Sequence, residues 1–375
     1  MKKIYLHIGL HKTGTTSLQQ YTRKNHAHFR ELGLYVPPPG KIVDACGNEI
    51  NLGSGSGGLH AIPKTIAQRD TSVLTAVLSD FEKSGLDSAL ISSEGFDSFK
   101  VKDTQFLAEQ LKDYQVQPIV VFRHPVRLAR SIYCSLGRIS SIQGNKLIDA
   151  RMLWSKPRHL ASVLLCSRGK SEKISRTNFI ILQIKRRIYD YDGISRDWSV
   201  FGRVKAFLFE QSNDIAKDIL AYVFEKNPKA MNAISSMEIP RLRSSLPVPL
   251  AVMNNDLYND LNIDKKIYQG HIYPNIIDFS NSKEFQEVDL NIPLHKLLPF
   301  SSRDQDLLMK KIKDNINPDQ IFNYIIYEEQ EKDGFSSILE SYKNTIDYME
   351  IPGNVVTKIK TKFIQFCLPK QKIEL

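Results

Sequence analysis

The sequence predicts an α/β protein of three layers, with a central parallel sheet between helices and largely helical additions in its middle and C-terminal parts. Three observations carry this. Short apolar runs alternate with stretches whose apolar residues recur at helical spacing through the first half of the chain. One run, "QPIVVFR", is continuously apolar, as a strand buried on both faces must be. The order strand–helix–strand–helix–strand is that of a doubly wound sheet, whose ligands sit at the carboxyl ends of the strands.

Taken in order, "KIYLHIG" is the first strand. "TTSLQQYTRKNHAHFREL" follows as helix and stops at Gly33, a residue suited to a helix end. Residues 37–60 hold "PPPG" and "GSGSGG" and read as loop. Next come the helix "TSVLTAVLSDFEKSG", the strand "SALISSE", the helix "KDTQFLAEQLKDY", the strand "QPIVVFR" and the helix "VRLARSIYCSLGR". Residues 138–200 form a helical, basic insertion, after which "RVKAFLFE" (203–210) is a further strand and "SNDIAKDILAYVFEKN" a further helix. From about residue 240 the chain is rich in Asn and Lys, and reads as helix and loop packed on the sheet. One domain is therefore expected over 1–330, with 331–375 as a C-terminal helical extension or tail.

Composition sets wider bounds. The chain has 375 residues, 42% of them hydrophobic and 25% charged, ordinary values for a folded domain. A formal net charge of +10 favours anionic ligands without choosing among them. The four cysteines, Cys46, Cys134, Cys166 and Cys367, form no CxxC pair, which argues against zinc and suits reduced thiols. His7, His11 and Lys12 interrupt the apolar N-terminus before it reaches the length of a signal-peptide core. No segment approaches the roughly 18 apolar residues of a membrane span. A cytoplasmic protein is the expectation.

Three places at strand ends carry candidate chemistry: the loop 9–17, "SSEGF" at 92–96 and "RHP" at 123–125. The loop reads "GLHKTGTTS". Gly9 and Gly14 keep the GxxxxG spacing of a nucleotide-binding P-loop, but Thr15 stands where that loop has its lysine, and Lys12 lies inside instead. Backbone N–H groups at the start of the following helix can still cradle a phosphate-like oxyanion. Thr15, Thr16 and Ser17 add hydroxyl donors, and no metal is required.

"HIGLHKTGTTSLQ" resembles the 5′-phosphosulfate loop of bacterial sulfotransferases that use 3′-phosphoadenosine 5′-phosphosulfate (PAPS). "VVFRHPVRLARSIY" resembles the same family's 3′-phosphate motif, an Arg at a strand end and a Ser eight positions later; here these are Arg123 and Ser131. The resemblance is specific over about residues 1–135 and weaker to about 225. It implies a P-loop-like fold, PAPS as donor and adenosine 3′,5′-bisphosphate as product. It implies donor contacts from His11, Lys12, Thr13, Gly14, Thr15, Thr16, Ser17, Arg123 and Ser131. The acceptor it implies is a hydroxyl on a cell-surface or capsular carbohydrate, free or lipid-linked, rather than nucleic acid. A P-loop kinase or hydrolase, and a non-catalytic member binding nucleotide or glycan, are the competing readings.

Sulfuryl transfer needs a base for the acceptor proton and positive charge for the leaving oxygen. Lys12 supplies the charge. Glu94, in "ALISSEGF", occupies the position where the family resemblance implies a base, although a loop-capping carboxylate would look the same. His60, in "GGLHAIP", is the second candidate. His11 has packing as its competing role. Arg127 and Arg130 read either as pocket extensions or as a solvated face, and Arg241 with Arg243 as a late basic loop. Glu210 reads as a buried hydrogen-bonding group and His124 as structural. "RRIYDYD" and "SRDW" suit a sugar platform and core packing alike. The tail "VVTKIKTKFIQFCLPKQK" fits either a docking helix or peripheral contact with an anionic membrane.

Overall fold

The computed structural model describes residues 1–10, 12–44, 46–52, 59–135, 189–239, 247–261, 273–286 and 353–370, with short pieces at 297–298, 303, 306–307, 310, 323–326 and 349–350. The chain divides into two compact units. One comprises Met1–Leu128, Arg186–Arg243 and Lys311–Lys343; the other comprises Ala129–Lys185, Ser244–Lys310 and Asn344–Leu375.

The first unit is built on a six-stranded sheet. Its strands are β1 (Lys3–Ile8), β2 (Leu34–Tyr35), β5 (Ser88–Ser93), β6 (Gln115–Phe122), β7 (Val204–Leu208) and β9 (Ile325–Ile326). They lie in the order β2-β5-β1-β6-β7-β9, and every neighbouring pair is parallel. Alternate residues of a strand face opposite sides of the sheet. Tyr5, Leu90, Ile119 and Val121 join one buried cluster with Leu18, Phe29, Ile219, Leu220 and Val223. These come from α1 (Thr15–Lys24), α2 (His26–Glu31) and α8 (Ile215–Val223). On the opposite face Ile4, Leu6, Ile8, Val120 and Phe122 are also buried. There Phe122 stacks on Tyr191 of α7 (Tyr191–Trp198) at 4.4 Å between ring centroids. Burial on both faces is why β6 reads as a continuous apolar run and β1 and β5 as mainly apolar ones.

The chain leaves β1 toward β2 and β5 on one side, then places β6, β7 and β9 on the other. The order therefore reverses between β1 and β6. At such a switch point the loops after adjacent strands part and open a crevice at the carboxyl ends. The loop 9–17 follows β1, and Arg123 follows β6.

Several expectations change in detail. The long first helix is broken at Asn25, where α1 gives way to α2. Residues 37–60 are not loop throughout: β3 (Lys41–Val43) and β4 (Glu49–Asn51) form an antiparallel hairpin. Its turn is closed by the Asp44 carboxylate, which accepts from the Cys46 and Asn48 amides at 2.8 Å each. Residues 53–58 lie outside the described residues. Between hairpin and sheet run α3 (Ala61–Ala67), α4 (Ser72–Lys83) and, after β5, α5 (Val101–Gln110). Of the expected insertion at 138–200, only residues from 189 onward are described. Its aromatics are core rather than a sugar platform. Tyr189, Tyr191 and Trp198 are buried, and Trp198 stacks on Phe99 at 5.8 Å. Burying so much ring surface stabilises more than a half-exposed platform would.

Helix α6 (Pro125–Ser135) begins in the first unit and passes into the second after Leu128. Back in the first unit, α9 (Pro228–Ser236) follows α8. The second unit contains α10 (Val248–Leu261), α11 (Tyr273–Ser280), α12 (Lys283–Gln286), the short parallel pair β8 (Leu297–Leu298) and β10 (Met349–Glu350), and α13 (Gly353–Lys370). In α13, Val355, Val356, Ile359 and Phe363 are buried, and Phe363 meets Phe279 of α11 at 5.4 Å. These four residues of the tail helix are packed inside its own unit, as the apolar face of a docking helix is. Among the described residues no helix is long and apolar enough to cross a membrane.

Candidate functional site

At the carboxyl end of the sheet, β1, β5 and β6 bring three sequence-predicted groups into one region. The register pairs Ile8 of β1 with Ser93 of β5, so Gly9 and Glu94 leave the sheet side by side. The Gly9 amide donates to the Ser93 carbonyl at 3.0 Å. A Cβ on Gly9 would lie 3.2 Å from the Glu94 Cα, so this close approach favours glycine.

The loop then turns through two left-handed residues, Lys12 at φ 62° and Gly14 at φ 79°. Left-handed backbone costs a non-glycine residue about 1–2 kcal/mol, so the surroundings must hold Lys12 in place. Successive turns of this kind direct N–H groups inward as an anion-binding concavity. The Thr13 hydroxyl is committed within the loop, donating to the Leu10 carbonyl at 2.7 Å, so only its backbone is left to meet a ligand. At the start of α1 the Thr15 and Thr16 hydroxyls donate to Glu94 Oε1 at 2.9 and 3.4 Å. Ser17 is half-buried, and its amide bonds the Gly14 carbonyl at 3.1 Å. His11 lies outside the described residues.

Gly14 packs tightly. A Cβ there would stand 2.6 Å from Ile215 Cγ2, at a φ that disfavours every side chain. Gly14→Ala is expected to destabilise the fold by about 2 kcal/mol or more, from strain and overpacking together. Urea unfolding measures it, and an unchanged midpoint would refute this packing.

Below the loop is a buried polar layer. His7 Nδ1 and Ser92 Oγ are 2.7 Å apart, and Gln19 Nε2 donates to the same Ser92 oxygen at 3.1 Å. His7 Nε2 is buried with no hydrogen-bond partner. Burial pushes the His7 pKa down to about 4 although Glu94 pulls it up. His124, after β6, is likewise pushed down to about 4 by burial, with Arg127 and Arg123 acting the same way. Both imidazoles are neutral in the folded state and take up protons first in the unfolded state, whose ordinary value is 6.5. Their contribution to stability is complete above pH 6.5 and is lost as pH falls toward 4. At pH 5 each costs about 2 kcal/mol. The urea midpoint should fall between pH 7 and pH 5, and His7→Gln should flatten that fall; an equally steep fall in the variant would assign it to other groups.

Arg123 stands where β6 ends. Its Nη1 donates to the Lys12 carbonyl. Its Nε lies 3.7 Å from Glu210 Oε1, and its guanidinium sits 4.4 Å from the centroid of the Phe209 ring. Glu210, on the turn after β7, accepts from the His124 amide at 3.0 Å, the hydrogen-bonding role expected of it. Burial raises its pKa, opposed first by that amide and then by Arg123. Tyr191 donates its hydroxyl to the Arg123 carbonyl.

No family model, curated protein or solved structure matches this chain. The reading of the site therefore stands on its own residues.

The remaining candidates are scattered differently. His60 is exposed at the start of α3 and makes no side-chain hydrogen bond or ion pair among the described residues, although the preceding Leu59 amide is bonded to the Ser92 carbonyl at 3.1 Å. Ser131 is buried on α6, beyond the point where that helix enters the second unit. Arg127 is exposed and Arg130 half-buried; Arg241 and Arg243 lie outside the described residues. The sequence does not tie Tyr191 or Phe209 to Arg123; it places His7 and Ser92 beside the loop but does not join them through Gln19 into one layer. Only the polar positions within the strands "YLHI" and "LISS" hinted at that layer. Among the described residues no three His, Cys, Asp or Glu side chains are grouped as a metal site.

Proposed function

We propose that this chain is a sulfotransferase of P-loop-like fold, moving a sulfuryl group from PAPS to a hydroxyl of an acceptor, with a carbohydrate as the favoured acceptor class. The observation that carries the reading is the convergence of Lys12, Glu94 and Arg123 at adjacent strand ends around a loop with two left-handed residues. The residues fit a phosphosulfate. The loop supplies the N–H groups of its turns, the Thr15 and Thr16 hydroxyls would have to turn from Glu94 Oε1 to reach the ligand, and Lys12 adds a positive charge.

In the proposed reaction the acceptor oxygen attacks sulfur in line as the bond from sulfur to the bridging phosphate oxygen breaks. The acceptor proton passes to Glu94, or to His60 in the second version. Lys12 meets the charge that grows on the leaving oxygen, and adenosine 3′,5′-bisphosphate departs. Arg123 and Ser131 are assigned to the 3′-phosphate by the resemblance of their motif. A cytoplasmic location belongs to the same reading, and Cys46 and Cys134, neither of them in a disulfide, are compatible with it.

The test is a titration with adenosine 3′,5′-bisphosphate in the presence of a chelator. Binding without metal is the expected result. Binding only of magnesium-ATP would favour a kinase or hydrolase. Transfer of labelled sulfate from PAPS to a panel of glycans and lipid-linked precursors then separates an enzyme from a non-catalytic binder.

A further inference from the structure

Arg123 carries a role that the resemblance does not assign. Its fork is committed on several sides: Nη1 to the Lys12 carbonyl, Nε toward Glu210, and the guanidinium plane against Phe209. Glu210 is itself fixed by the His124 amide, and the Arg123 carbonyl by the Tyr191 hydroxyl. The side chain is therefore held from both ends. Phe209 also lies beside the loop: its Cε2 would stand 3.5 Å from a Cβ built on Gly14. Arg123 and the ring it covers thus stand beside the loop at Lys12 and at Gly14, the two residues with left-handed backbone.

We propose that Arg123 is a positioning residue for the loop 9–17. Braced by Glu210 and Phe209, it pins the Lys12 carbonyl outward, so that the N–H groups after it face inward and the Lys12 side chain stays on the ligand side. A carbonyl free to turn would point its negative end at an incoming anion. A charge-assisted bond to that carbonyl both opposes the turn and offsets the strain at Lys12. Arg123 then acts on the 5′ end of the donor through the loop, whatever it also does at a 3′-phosphate.

Two measurements test this, and only the second rests on the sulfotransferase reading. In the unliganded protein, Arg123→Ala should speed amide hydrogen exchange of a peptide covering 9–17 about tenfold, leaving β1 and β6 protected. Arg123→Lys, which keeps one donor for the carbonyl, should recover part of this, and Glu210→Gln should move exchange in the same direction as Arg123→Ala by less. Unchanged loop exchange in Arg123→Ala overturns the proposal. In the second measurement, adenosine 5′-phosphosulfate, which lacks the 3′-phosphate, should bind Arg123→Ala about tenfold more weakly than wild type. Weakened binding of adenosine 3′,5′-bisphosphate with unchanged binding of the 5′-phosphosulfate would mean a 3′-phosphate contact only, and also overturns it. If wild type binds neither nucleotide while loop exchange responds as expected, the sulfotransferase reading falls and the positioning role stands.

Discussion

Lys12→Ala is expected to lower turnover with PAPS by about two to three orders of magnitude, the usual effect of removing one preorganised donor from a developing anion. The substitution is informative because it leaves the backbone problem unchanged. Lys12 sits at φ 62°, and alanine meets nearly the same steric cost there as lysine. Loop geometry and stability should therefore survive, and the loss should appear in kcat rather than in the unfolding midpoint. Lys12→Gly provides the contrast. It removes the same amine but relieves the left-handed strain, so it should be as inactive as Lys12→Ala and about 1 kcal/mol more stable. Turnover near the wild-type rate in either variant would move the sulfuryl site away from this loop. Lost turnover with a collapsed unfolding midpoint in Lys12→Ala would mean that lysine acts on the fold rather than on the leaving oxygen.

How much of this was legible in the sequence depends on how local each feature is. The strands β1, β5, β6 and β7 were readable because two buried faces leave short, mainly apolar runs, continuous only in β6. β2 and β9 have two residues each and no pattern to read. The hairpin at 41–51 was missed because its strands are three residues long and carry one apolar side chain apiece on their paired face, Ile42 and Ile50. At the site, Lys12, Glu94 and Arg123 stood out because chemistry at a strand end is a local signal. Their connections did not. The bond from Arg123 to the Lys12 carbonyl spans 111 positions and that from Tyr191 to the Arg123 carbonyl spans 68. Neither leaves a periodic trace. The aromatics near 190–198 show the converse limit. A ring that stacks in a core and a ring that stacks on a sugar have the same composition, and only burial separates them.

Glu94→Gln is the second large expected effect, a loss of about two to four orders of magnitude in kcat if this carboxylate takes the acceptor proton. The Thr15 and Thr16 hydroxyls both donate to Glu94 Oε1, so the residue has a structural duty beside the chemical one. Glutamine keeps a carbonyl oxygen as acceptor for those hydroxyls but loses the negative charge and, with it, the ability to accept a proton. Glu94→Ala loses both, leaving two hydroxyls at the mouth of α1 without their acceptor. The two variants should therefore separate. Glu94→Gln should bind adenosine 3′,5′-bisphosphate about as tightly as wild type with turnover collapsed, whereas Glu94→Ala should lose turnover and also show altered affinity as the loop rearranges. Glu94→Gln at full rate would leave the carboxylate as a loop brace and pass the base to His60, whose exposed ring at the start of α3 makes no competing bond among the described residues. Equal loss of affinity in both variants would point to a third arrangement, in which the negative charge itself, rather than its basicity, sets the loop against Lys12.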